Sequence, residues 1–344
     1  MKLVLLNFDK DKTTIVKGIA ILLMIVLHCG NQSWYTIDLN AFSTYPYLGS
    51  ILGNMKFCVG IFTFLVGYGY AFSKSKDFRY SVSHIFRLLT AFWVVLLITV
   101  PFALIRGEFR FDLLLLNMIG VNSTYNYFSW FVAFYIYAMV VMPLISRVLD
   151  KNYYLYTLVF IVLSFGFAAC IHKFIPNYVN NDWLSRLFDC FVTTPTLLIG
   201  YFFSKNKIYT RLKTYQNKYM IFLYVLLIIA TLTHRYYLPS VIGFNLDLIY
   251  APIFIYAVIA ILNLYDGFIA RIFKILGNYS VYMWFVHALF FTELTRNYFQ
   301  PLILVSDNLC IIILWTISLT FIMSFVISKI VEVVRRNISL VFAK

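Results

Sequence analysis

Charge is what this sequence has least of. Only 12% of its 344 residues are Asp, Glu, Lys or Arg, where a soluble domain of this length carries about 25%; that excludes a globular domain surrounded by water. Acidic residues are the scarcer kind, 14 against 28 basic ones, for a net charge of +14. In a soluble protein such an excess would suggest nucleic acid. In a chain that is 62% hydrophobic it fits loops held against anionic lipid, so the expected partner is the bilayer and no nucleic acid. Cysteine is sparse and unpaired. Cys29, Cys58, Cys170, Cys190 and Cys310 lie in or beside apolar runs, without the spacing of a disulfide framework or a zinc site. They read as small buried hydrophobes, and no metal is expected. Glycine and proline form no linker, and no loop exceeds about 20 residues. The expectation is one membrane domain over 1–344 with no appended soluble domain. No cleavable leader is expected either, because the apolar patch Leu3 to Leu6 is short and runs into Asp9-Lys10-Asp11-Lys12.

What is present is apolar sequence in runs of about 20 residues, the length that crosses a hydrocarbon core. Ten such runs recur, at 14–32, 48–72, 81–105, 126–147, 153–172, 184–204, 217–236, 247–265, 275–295 and 308–330. The shorter 111–121 is expected to lie at an interface or re-enter. The fold class is therefore all-α, a polytopic membrane bundle of about ten helices. With the N-terminus placed inside, 19 of the Lys and Arg residues fall on inner loops, six on outer loops and three within spans. This asymmetry puts both termini in the cytoplasm. The outer loops are rich in Trp34, Tyr35, Tyr45, Tyr47, Tyr125, Tyr127, Tyr178 and Trp183. These fit an aromatic belt at the headgroups, or stacking platforms for sugar rings.

Ionisable residues within the spans cost about 2.5 kcal/mol or more each near the bilayer centre, so each is a candidate functional group. Lys17 and His28 are eleven residues apart in the first run, which on a helix means roughly 16 Å and nearly the same face. His84 and Arg87, at i and i+3, offer nitrogen donors on one face and with Lys17 could form an inner anion site; contact with lipid headgroups is the alternative. Lys56 could pair with Asp189. His287, two turns beyond Ser280, stands at a depth similar to His28, and the two imidazoles are expected to face one cavity.

These stretches resemble the integral-membrane acyltransferase-3 family. The likeness is carried by Lys17 and His28 in KGIAILLMIVLHCGN, by VGIFTFLVGYGYAFS from Val59 to Ser73, by HIFRLLTAFW around Arg87, by Trp130-Phe131 with Tyr135, Tyr137 and Pro143-Leu144, and by GNYSVYMWFVH from Gly277 to His287. Val66, His84 and Thr90 stand where the family usually has serine, arginine and proline. The resemblance implies an acyl-CoA-dependent acyltransferase, most often an O-acetyltransferase, that takes acetyl-CoA or another acyl-CoA from the cytoplasm. It implies delivery of the acyl group to a hydroxyl of a cell-surface or exported polysaccharide.

On that reading Lys17, His84 and Arg87 hold CoA phosphates. His28 and His287 are catalytic, His28 as general base or transient acyl carrier, and Lys56, Trp130, Asp189 and Ser280 line the acceptor side or the cavity. The setting implied is a multi-pass protein of a bacterial inner membrane, alone, as a homo-oligomer or with a separate envelope partner. The alternatives are a transporter or flippase for a lipid-linked glycan and a non-catalytic assembly protein of the same fold.

Overall fold

In lipid every backbone N–H and C=O must be satisfied within the protein, and for a single apolar run the α-helix does this locally. The computed structural model describes residues 3–73, 77–215, 217–242, 246–265 and 267–342, with the side chains of 238–242 and 338–342 left aside. Of the basic residues used for orientation, Lys2, Lys74, Lys76 and Lys344 lie outside the described residues. Among the described residues ten helices of 15 residues or more follow one another: α1 (Lys10–Cys29), α2 (Cys58–Phe72), α3 (Phe78–Ile105), α4 (Trp130–Leu149), α5 (Tyr153–Phe174), α6 (Asp182–Lys205), α7 (Tyr219–Ile242), α8 (Asp247–Leu264), α9 (Phe268–His287) and α10 (Leu309–Phe342). Among the described residues nine segments are long and apolar enough to cross a membrane, Leu48–Phe72 being one that ends in α2. The protein is an all-α, multi-pass integral membrane protein.

One segment differs from expectation. The run 275–295 is not one helix. α9 begins earlier, at Phe268, ends at His287, and is the long helix outside the nine; a 3-10 turn (Ala288–Phe290) and a short helix (Glu293–Phe299) follow it. The Thr295 hydroxyl donates to Leu289 O at 2.8 Å, taking a carbonyl that a continuing helix would use. Lys56 lies about two turns into the candidate span Leu48–Phe72, in its 3-10 turn Asn54–Phe57, and is exposed. The stretch 111–121 holds a short helix, Phe111–Met118.

The chain divides into two compact units, to both of which α1, α3, α4 and α9 contribute residues. The first comprises 1–23, 56–81 and 137–278. Its best-packed pair is α2 with α6, drawn together by glycines: a methyl group on Gly67 would collide with Leu197 O, and one on Gly200 with Phe64 O. α1 and α9 meet in the same manner, Gly18 against Phe273 O and Gly277 against Thr14 O. Three glycines of the family-like motifs, Gly18, Gly67 and Gly277, are thus points of close backbone approach. A two-stranded antiparallel ribbon, β1 (Leu3–Leu5) with β2 (Lys213–Tyr215), pins the N-terminal segment. Arg235 and Asp247 form a buried ion pair at 2.6 Å, with the Phe57 ring 5.3 Å from the guanidinium.

The second unit comprises 24–55, 82–136 and 279–344. Its core includes Phe92 against Phe285, with centroids 4.9 Å apart. The segment between Phe111–Met118 and α4 is held by side-chain amides. Asn117 Nδ2 donates to Leu113 O at 2.9 Å, and its Oδ1 accepts from Tyr125 N at 3.0 Å. Gly120, at φ 73°, makes the turn between them. This anchoring presents residues 126–128 to the end of α9.

Candidate functional site

The second unit holds a pair of buried imidazoles. His28 is the penultimate residue of α1 and His287 the last of α9, 6% and 0% exposed. His287 Nε2 lies 2.8 Å from His28 Nδ1, and His287 Nδ1 lies 3.1 Å from the carbonyl oxygen of Met283. A carbonyl can only accept, so Nδ1 of His287 carries a proton. In a neutral imidazole the other nitrogen then holds a lone pair, and it accepts from Nδ1–H of His28. Assigned from this hydrogen-bond network, Nε2 is the basic nitrogen of His28.

The surroundings fix both rings. Phe128 stacks on His28 with centroids 3.6 Å apart at 25°, and lies 5.2 Å from His287 at 10°. Such a ring favours an imidazolium by about 0.5–2 kcal/mol through its quadrupole. Phe128 is itself held to α9, since Trp284 Nε1 donates to Phe128 O at 3.0 Å and Asn126 Nδ2 donates to Phe285 O at 3.1 Å. Trp34 closes another side, 4.7 Å from His28 and 5.0 Å from Phe128. The loop that carries it folds back because Tyr35 donates to Cys29 O at 2.9 Å. Burial pushes the Tyr35 phenol well above its usual range, so it remains a donor. Gln300 completes the anchor: its Nε2 donates to Trp34 O at 2.8 Å and its Oε1 accepts from Thr36 N at 2.6 Å. Trp34 is half-buried, and Tyr127, 6.5 Å from it, is 56% exposed. An aromatic surface therefore runs outward from His28.

The remaining expected residues fall as follows. Ser280 is buried, seven residues before His287, hence roughly 10 Å below it on the same face of α9. Trp130 is half-buried with its ring against Phe131; Phe128, two residues earlier, is the ring stacked on His28. Lys17, in the first unit, is exposed although Val16 and Ala20 beside it are 0% exposed. His84 is half-buried and Arg87 exposed, both on α3 in the second unit.

Of the expected Lys56–Asp189 pair, the Lys56 charge acts on Asp189 as a weaker influence behind that of Arg186. Arg186 holds Asp189 at 2.7 Å across i, i+3 of α6. Sequence reasoning missed Phe128, whose only signal was its place in an aromatic loop, and the Met283 carbonyl, which lies one turn before His287 on the same helix and is reached through the side-chain rotamer.

A family model described as an acyltransferase domain, Acyl_transf_3, matches residues 13–332. No curated protein and no solved structure matches the chain.

Proposed function

The chain belongs to the acyltransferase-3 family and is a membrane acyltransferase, and from that premise we propose that it transfers an acyl group, acetyl in the first instance, from acyl-CoA to a hydroxyl of a cell-surface or exported polysaccharide. The observation that carries the reading is the ordered imidazole pair. With His287 holding the proton of Met283's hydrogen bond, His28 keeps Nε2 as a base. Nε2 takes the proton of the acceptor hydroxyl as its oxygen attacks the thioester carbonyl. The imidazolium so formed donates from Nδ1 to His287, a bond strengthened by charge, and lies against Phe128. Collapse of the tetrahedral intermediate breaks the carbon–sulfur bond, and the proton passes from Nε2 to the departing thiolate. The products are an ester and free CoA, with no other reactant consumed. General acid–base catalysis of this kind contributes about 10²- to 10⁴-fold. Direct attack by Nε2, with the acyl group carried briefly on His28, uses the same nitrogen.

Trp34 and Tyr127 form the acceptor's stacking surface, which favours a sugar ring. His84 and Arg87 take phosphates of the donor as charge-assisted donors, and Lys17 on α1 is kept, by itself, as a proposed donor contact. Lys56, Trp130, Asp189 and Ser280 stay as proposed contacts of lower priority. In this proposal both termini and the donor are cytoplasmic, the acceptor lies outside, and the membrane is a bacterial inner membrane.

The experiment is mass spectrometry of surface glycans from cells with and without the gene. Loss of ester-linked acyl groups supports the reading. Unchanged acylation in every glycan fraction overturns it and turns attention to glycan transport.

A further inference from the structure

Arg335, near the end of α10, belongs to none of the motifs above. It is half-buried, and its guanidinium is anchored to α3 by neutral acceptors. Nε donates to Thr90 Oγ1 at 2.9 Å, and a terminal nitrogen donates to Arg87 O. The Thr90 hydroxyl spends its own proton on the α3 backbone, donating to Phe86 O at 2.9 Å, so what it offers Arg335 is a lone pair. All of these residues lie in the second unit.

Neither Arg87 nor Arg335 has an ion-pair partner among the described residues. The acid closest in sequence, Glu332, pairs with Lys329 at 3.3 Å. Arg335 therefore brings a second guanidinium to the backbone of Arg87, one turn after His84, without a counter-charge. Cations carried on adjoining stretches of α3 and α10 are favoured by an anion that shares them. A guanidinium already fixed through Nε has its remaining N–H groups oriented in advance, and their fork matches two oxygens of a phosphate. Hydrogen bonds to Thr90 and to a backbone carbonyl remove most of the rotamer freedom that binding would otherwise have to quench.

We propose that Arg335 and Arg87 form a two-guanidinium seat for a phosphate group, and that its occupant is a phosphate of the acyl donor. This rests on the acyl-CoA reading above. It adds a residue from the last helix to donor recognition and gives the half-buried Arg335 a role beyond a basic tail. An anionic lipid headgroup carries the same chemistry, and the test separates the two sources.

The test uses the full chain in phosphatidylcholine nanodiscs, and in discs containing phosphatidylglycerol, with acetyl-CoA as the probe. Wild type is compared with Arg335→Gln, Arg335→Lys and Arg87→Gln, each checked for monodispersity and melting temperature. Arg335→Gln is expected to weaken acetyl-CoA binding roughly ten-fold or more, with the KM for the acceptor unchanged. Arg335→Lys recovers only part of the loss, because an ammonium cannot reproduce the fork. Should Arg335→Gln not yield folded protein, Arg335→Lys carries the comparison.

Wild-type affinity in a folded Arg335 variant overturns the seat. Loss of phosphatidylglycerol retention with acetyl-CoA affinity intact assigns it to lipid and overturns the donor assignment. Failure of the wild type itself to bind acetyl-CoA defeats the acyl-CoA reading and this inference with it, an outcome distinct from the other two.

Discussion

Nε2 of His287 stands 2.8 Å from Nδ1 of His28, and this contact orders the protons of both rings. Histidine can donate or accept at either nitrogen, so a pair alone leaves the direction of the bond open. The Met283 carbonyl, 3.1 Å from His287 Nδ1, sets it. In the proposed mechanism the base is thereby one atom, Nε2 of His28, with His287 as the residue that positions it.

A positioning role predicts a graded series at His287. His287→Ala leaves Nδ1–H of His28 without its partner, at about 1–3 kcal/mol of stability for a buried donor, and lowers kcat roughly 10- to 100-fold with little change in either KM. His287→Gln, whose amide oxygen can accept from Nδ1–H, recovers more activity than Ala. Steady-state kinetics of the three proteins decide the matter. Equal rates for Ala and wild type would leave His287 a packing residue.

Trp34 tests the acceptor surface. Trp34→Ala removes a half-buried ring beside His28 and is expected to raise the acceptor KM about three- to ten-fold, from the roughly 0.5–1.5 kcal/mol of a stacked pair. The donor KM stays the same. A rise in the donor KM alone would contradict the placement.

Gly18 and Gly277 test the packing of α1 on α9. Each faces a backbone carbonyl of the other helix, which cannot rotate away as a side chain could. Gly18→Leu or Gly277→Leu is expected to destabilise by about 1–3 kcal/mol or more, read as a lower melting temperature in detergent. Unchanged melting of both variants would show that the two helices do not need this approach.

Much of this arrangement was legible in the sequence, for a physical reason. Helical period places Lys17 and His28 on one face of α1, and the scarcity of charge makes any intramembrane imidazole conspicuous, which singled out His287 as well. Turn and loop geometry was less legible. Lys56 sits in a 3-10 turn because the helix of span 48–72 is broken before Cys58, and nothing in its apolar composition marks the break. α9 stops at His287 because a hydroxyl four residues after Phe291, that of Thr295, competes for a backbone carbonyl.

Phe128 reaches His28 only because Asn117, Asn126 and Trp284 anchor its loop, a tertiary effect without periodicity. The Arg186–Asp189 pair, by contrast, was available from i, i+3 spacing on one helix. Arg335 was concealed by its setting. Among basic residues near a terminus, nothing local distinguishes the one that docks on Thr90.

The most direct measurement of the central claim is acyl transfer by His28→Ala in nanodiscs, with acetyl-CoA binding measured on the same preparation. The account predicts that transfer falls by about 10²-fold or more while the affinity for acetyl-CoA stays at the wild-type value. Transfer at the wild-type rate, or loss of acetyl-CoA binding in step with activity, would contradict the assignment of His28 as the base.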